Sequence, residues 1–226
     1  MAYSTTTLGT LRTRVRERLL STFWSDTELN TYIVESLRVW NVLTGYAKAN
    51  QTKTISSGST PFYAKTAFTD TGIFLLRVET GTTHLGQTVL PELDAMSPTW
   101  PTTTATSPSY WVHAGHNNIV LTPIPTGSFS ATTYYVDTMA VPSADGDSIQ
   151  VGEEDLPAIV DYVVFVARLK EGGKEAQEAL PLLQNFLKQA SQYNAKLLKN
   201  ALFRRILGLP QAQQQRPDQL DSQFAR

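Results

Sequence analysis

The sequence predicts an α+β protein: a four-helix bundle formed by both chain ends, a small antiparallel β-sandwich or barrel inserted between them, and an extended C-terminal tail. Three observations predict it. Apolar residues recur at three- and four-residue spacing near both ends, period-two runs punctuated by Thr, Ser, Pro and Gly fill the middle, and the last residues carry too little apolar material to fold alone. The divisions fall at residues 1–50 (helical), 51–154 (β), 155–209 (helical) and 210–226 (tail). A chain of 226 residues has room for such an insertion.

The first helix places Leu8, Leu11, Val15 and Leu19 on one face, with Arg12, Arg14, Arg16 and Arg18 on the others. The second opens on Trp24-Ser25-Asp26-Thr27-Glu28-Leu29, a capping box with Ser25 as N-cap and Glu28 at N3; Trp24 is placed to pack on Leu29 as a hydrophobic staple. Leu29, Ile33, Leu37, Trp40 and Leu43 continue the apolar stripe to Gly45, a stop. The third helix begins near Glu154 or Asp155 with Pro157 in its first turn, where a missing N–H costs nothing. Ile159, Val160, Val163, Val164 and Ala167 make it apolar over a wide arc, until Gly172-Gly173 breaks it. In the fourth, Ala176, Leu180, Leu183, Leu187, Ala190, Leu197 and Ala201 alternate four and three apart, with Asn194 in the remaining slot. That 3.5-residue repeat calls for a long, nearly parallel neighbour, and Pro181 should kink the helix or mark its effective start.

In the middle, Ile73–Val78, Tyr110–His113, Ile119–Leu121 and Thr132–Val136 read as strands, Gly115–Asn118 as a hairpin turn and Thr122-Pro123-Ile124-Pro125 as a strand end. Trp24, Trp40, Trp100 and Trp111 are read as core or staple residues.

Composition excludes several classes. With no cysteine there is no disulfide, thiol nucleophile or cysteine-ligated zinc. The N-terminal residues lack a signal peptide's apolar core, and the most apolar stretch, Ile159–Ala167, is short and broken by Asp161, so a soluble protein is expected. Net charge is −1, against a dedicated nucleic-acid binder, but it is unevenly spread: −6 over residues 51–154, +2 over 1–50 and +3 over 155–209. No Walker A loop, GxGxxG or GxSxG motif occurs, so no catalytic residue, cofactor or enzymatic activity is assigned. His113 and His116 lack an acidic neighbour to complete a metal site, and Asp145-Gly146-Asp147 with Glu153-Glu154-Asp155 fails the EF-hand order. These read as turn residues and as a turn before an acidic helix start. The arginine row reads first as solvated surface, otherwise as contacts to phosphates or an acidic partner; Lys188, Lys196, Lys199, Arg204 and Arg205 allow the same suggestion for the fourth helix. The tail QAQQQRPDQLDSQFAR reads as a segment that orders on a partner through Leu209, Leu220 and Phe224.

Taken in order, TLGTLRTRVRERLLS…FWSDTELNTYIVESLRVWN, LPELDAMSPTW, PSYWVHAGHNNIVLTPIPTGS, TTYYVDTMAVPS and EEDLPAIVDYVVFVARLKEGGKEAQEALPLLQNF resemble the head-to-tail adaptor (connector, head-completion) proteins of tailed phages, to about Leu209. The resemblance implies a helical core with an inserted β domain, assembled as a twelve-copy ring beneath the portal protein. It further implies a virion component, put together in the host cytoplasm, that extends the channel for double-stranded DNA and offers a docking surface to the tail nozzle or tube. Leu209, Leu220 and Phe224 would then meet the portal, and Lys188, Lys196, Lys199, Arg204 and Arg205 would lie near the channel. The other reading is a virion-associated module whose β domain recognises a glycan or receptor.

Overall fold

A computed structural model describes residues 6–21 and 23–199, with side chains to Asn194. Contacts within the chain define a unit that ends at Ser191, and the packing below concerns that unit. The fold is mixed α+β.

Helix α1 (Leu8–Leu19) is started by Thr7, whose hydroxyl accepts from Thr10 N, and buries Leu8, Leu11, Val15 and Leu19, the face its spacing predicts. Helix α2 (Asp26–Thr44) has the expected capping box and ends at Gly45 in the left-handed region, φ 59°. It buries Leu29, Ile33, Leu37 and Trp40, but the stripe ends differently: Asn41 and Thr44 are buried and Leu43 is 39% exposed. The reason is a polar joint. Buried Asn41 donates to Asp137 O (2.7 Å) and accepts from Ala47 N (2.8 Å), so the helix end turns toward backbone that needs partners.

Ten strands run between Lys48 and Asp137 among the described residues. One sheet has the order β1-β10-β3-β4, from β1 (Lys48–Ile55), β10 (Phe129–Asp137), β3 (Gly72–Thr80) and β4 (Thr83–His84). A second has the order β2-β8-β7-β5, from β2 (Phe62–Ala64), β8 (Asn118–Thr122), β7 (Tyr110–His113) and β5 (Gly86–Gln87). A short pair joins β6 (Thr104–Ala105) to β9 (Ile124–Pro125). The expected hairpin joins β7 to β8, and β8 stops at Pro123. The expectation of a purely antiparallel arrangement is corrected: β5–β7 and β6–β9 pair in parallel.

Both sheets feed one core. Ile55, Leu75, Val78, Ala131 and Tyr135 from the first meet Tyr63, Trp111, Ile119 and Leu121 from the second, around Phe68 and Leu85. Strand β3 departs from period two because its pairing with β10 slips between Tyr134 and Tyr135, which puts Leu75 and Val78 on one face although they are three apart. The outer face of the second sheet is covered too. A short helix α3 (Leu90–Met96), which periodicity did not reveal, sets Leu93 beside Trp100, Val112 and Val120, and the Trp100 indole donates to Asp94 (2.8 Å). Leu90 and Leu93 are its apolar anchors, and a helix of seven residues is too short for a periodic signal.

Strands β1 and β10 are neighbours, so the chain enters and leaves the sheets side by side, Lys48 opposite Val136. Residues 138–155 then return along the start of α1, with Ile149 N on Thr6 O (2.8 Å), Leu8 N on Asp147 O (3.0 Å) and Gly9 N on Asp145 O (3.0 Å). Helix α4 (Leu156–Glu171) follows, with Pro157 in its first turn. It buries Ile159, Val160, Val163, Val164 and Ala167 against α1 and α2. Gly172 and Gly173, both with positive φ, reverse the chain into helix α5 (Gly173–Lys199), which continues through Pro181. Phe186 of α5 is fully buried against Trp40 (ring centroids 5.6 Å apart) and Tyr162 (4.8 Å), with Ala179 and Ala190 beside it.

Candidate interaction surfaces

Three arginines of α1, Arg12, Arg16 and Arg18, hold acidic partners within the chain, and the first two are partly buried in doing so. Arg12 grips Asp145 with both terminal nitrogens (2.8 and 2.6 Å) and donates to Asn30 (3.1 Å). The pairing raises the Arg12 pKa and holds the Asp145 carboxyl below the usual carboxylate range. Arg16 holds Trp24 O (2.9 Å) and Asp26 (2.5 Å), which fixes the turn into α2. Arg18 reaches Asp161, whose side chain is 2% exposed, at 2.5 Å. Asn185 of α5 donates to that carboxylate's other oxygen. Asp161, which looked like an interruption of an apolar run, is thus the point where α1, α4 and α5 are pinned together. Arg14 is exposed.

The basic residues of the last helix are placed only in part. Lys188 is exposed on α5; Lys196 and Lys199 lie within α5, but their side chains, like Arg204, Arg205, Leu209, Leu220 and Phe224, fall outside the described residues.

Acidic residues near the joint are structural. Asp147 accepts from Ser143 N and Ala144 N (2.8 Å each), bonds that hold its carboxyl below the usual range. His113 donates through Nε2 to Leu75 O (3.1 Å), since a carbonyl can only accept. Beside it a cleft of about 250 Å³ is lined by Ile73, Phe74, Gly115 and His116. Among the described residues no group of three or more His, Cys, Asp or Glu is placed to hold a metal ion. A larger cleft, about 570 Å³, lies where helices and sheets join, lined by Tyr46, Lys48, Asp137, Met139 and Gln150 among others. Partial burial pulls the Lys48 amine down to about 8 and pushes the Tyr46 phenol up, and the Tyr46 hydroxyl accepts from Gly152 N (3.0 Å).

What the surface offers instead is apolar area. The turn between α1 and α2 projects Leu20 (90% exposed) and Phe23 (75%). Leu20 is the sole non-glycine residue with positive φ among the described residues (53°). At the start of α2 the charges are paired, Arg16 with Asp26 and Lys170 with Glu28 (2.8 Å), and the Trp24 indole donates to Glu171 (3.2 Å), while Glu17 is exposed. Helix α5 exposes Leu180 and Leu187, the second sheet exposes Phe62 of β2 and Tyr110 of β7, and Val89 and Met96 are exposed at the two ends of α3. Exposed turns and helix ends of this kind carry no periodic mark, so the sequence did not single out Leu20, Phe23 or Phe62.

The turn between α1 and α2 and the open side of α5 thus present apolar side chains to the surface. Residues 6–221 match the family model of the SU10 adaptor protein, and the chain belongs to that family, whose members are structural adaptors of phage virions. Comparison with curated proteins gives no match. Among the described residues no helix is long and apolar enough to cross a membrane.

Proposed function

We propose that the chain is a head-to-tail adaptor: twelve copies form a ring between the portal and the tail nozzle or tube and extend the channel through which double-stranded DNA passes. The observation that carries this reading is the family match, which spans the helices at both chain ends and the sheets between them. In this reading the helices of both ends act as one four-helix bundle, and residues 51–154 act as an inserted module facing the tail. Residues 210–226 reach the portal, and Leu209 just before them anchors there together with Leu220 and Phe224. Lys188, Lys196, Lys199, Arg204 and Arg205 lie near the channel, where they give DNA contact that is weak, salt-dependent and indifferent to sequence. Assembly takes place in the host cytoplasm and needs no cofactor.

The test is electron microscopy of the chain mixed with its cognate portal, alongside a variant lacking residues 210–226. A ring on the portal is expected for the full chain and its loss for the truncation, with helicity unchanged. A full chain that stays off the portal refutes the adaptor reading. A truncated chain that still binds refutes the tail's role.

A further inference from the structure

We infer that the open face of α5, from Ala176 to Ser191, is a surface by which one copy of this chain holds another; the inference deepens the ring reading above and rests on it. The 3.5-residue repeat in this helix demands a neighbour along a seam, and the body of the chain supplies only half of it. Ala179, Phe186 and Ala190 are buried against the body. Leu180 is 50% exposed and Leu187 47%, while Ala176 and Leu183 are half-buried between the two sets. At 100° and 1.5 Å per residue, Ala176, Leu180, Leu183 and Leu187 share a stripe displaced from the docked one, about 16 Å long. The repeat is therefore satisfied on one flank and open on the other.

Charge identifies what covers it. Beside Leu180 and Leu187, the outer flank of the stripe is Gln177, Gln184 and Ser191, all exposed and all uncharged. Lys174 and Glu178 pair with each other at 3.3 Å on the far side of the helix, and Lys188 stands about 80° from Leu180. A helix face meant for water carries charges, and one meant for nucleic acid carries cations. Between Leu183 and Gln177 this one carries no charge, with Lys188 at its margin, so its counterpart is apolar and charge-poor as well. A second copy offers an apolar surface in Leu20 and Phe23, beside which Asp26 and Glu28 are already paired within their own chain. A closed ring of identical copies also covers every seam once and leaves none open, which a single partner bound to one face of the assembly cannot do.

The absence of cysteine makes the test clean. Leu187→Cys, labelled with a benzophenone maleimide, is irradiated both alone at high concentration and on the cognate portal. Chain-to-chain products are expected in either setting. Products with portal alone, or none in either setting, overturn the inference. In parallel, Leu180→Glu with Leu187→Glu should weaken self-association at least about tenfold, because it places charge in an interface that excludes water. Both side chains are half-exposed, so circular dichroism should not change. Unchanged self-association in a folded double variant also overturns the inference. The two readings fail separately: no portal binding with chain-to-chain products removes the adaptor reading alone, and portal binding without such products removes the seam alone.

Discussion

Replacing Arg18 by Met removes the cation that faces Asp161 and leaves a carboxylate 2% exposed with Asn185 as its remaining side-chain donor. Oδ1 of Asp161 is sealed from water and receives no well-directed hydrogen bond, so the charge of Arg18, 2.5 Å away, is what compensates it. Breaking a fully buried pair costs about 3–5 kcal/mol. The Arg18 side chain is 46% exposed, so water takes over part of its role and about 2 kcal/mol is expected. For a chain of this size that lowers Tm by about 4–8 °C, read by circular dichroism on thermal melting. Asp161→Asn supplies the control. With the charge gone, adding Arg18→Met should cost less than about 0.5 kcal/mol, because no buried charge remains to be exposed. If Arg18→Met costs the same in both backgrounds, the pinning of α1, α4 and α5 through Asp161 is wrong.

Two further outcomes follow from local geometry. The Glu28 carboxyl is held at about 2, below its ordinary 4.5, by Lys170 and by Ser25. Because the folded value lies below the unfolded one, this contribution is full above about pH 5 and is lost as pH falls toward 2. Glu28→Gln should therefore flatten the acid branch of a Tm-against-pH curve, and parallel curves for the two proteins would count against the clasp. Leu20→Gly should stabilise the chain by about 0.5 kcal/mol, since relief of the left-handed backbone outweighs the added freedom of the unfolded chain. A lower urea midpoint instead would mean that the Leu20 side chain packs within its own chain.

The parts of the fold written in single residues or short periods were legible. The capping box at Ser25 and Glu28, the stop at Gly45, the double-glycine reversal before α5 and the hairpin between β7 and β8 depend on neighbours in sequence, and the structure has each of them. Helix α3 was not legible, nor was the slip that turns Leu75 and Val78 to one face, because a strand's register depends on its partner β10. The candidate surfaces divided the same way. The repeat in α5 was visible, but which half of it stays open was not.

Spacing and composition determined that helices lie toward both ends with sheets between them and that cysteine chemistry is absent; the resemblance of the ordered motifs to phage adaptors added the family, which the match over residues 6–221 shows. Only the tertiary structure decided where the charges go. A helical period can say that Arg12, Arg16 and Arg18 leave the apolar face, but their partners Asp145, Asp26 and Asp161 come from segments up to 143 residues away in the chain. It likewise decided that the wide apolar arc of α4 is covered within the chain while that of α5 is not. Local pattern reports what each residue prefers, and burial depends on which distant surfaces arrive to satisfy it.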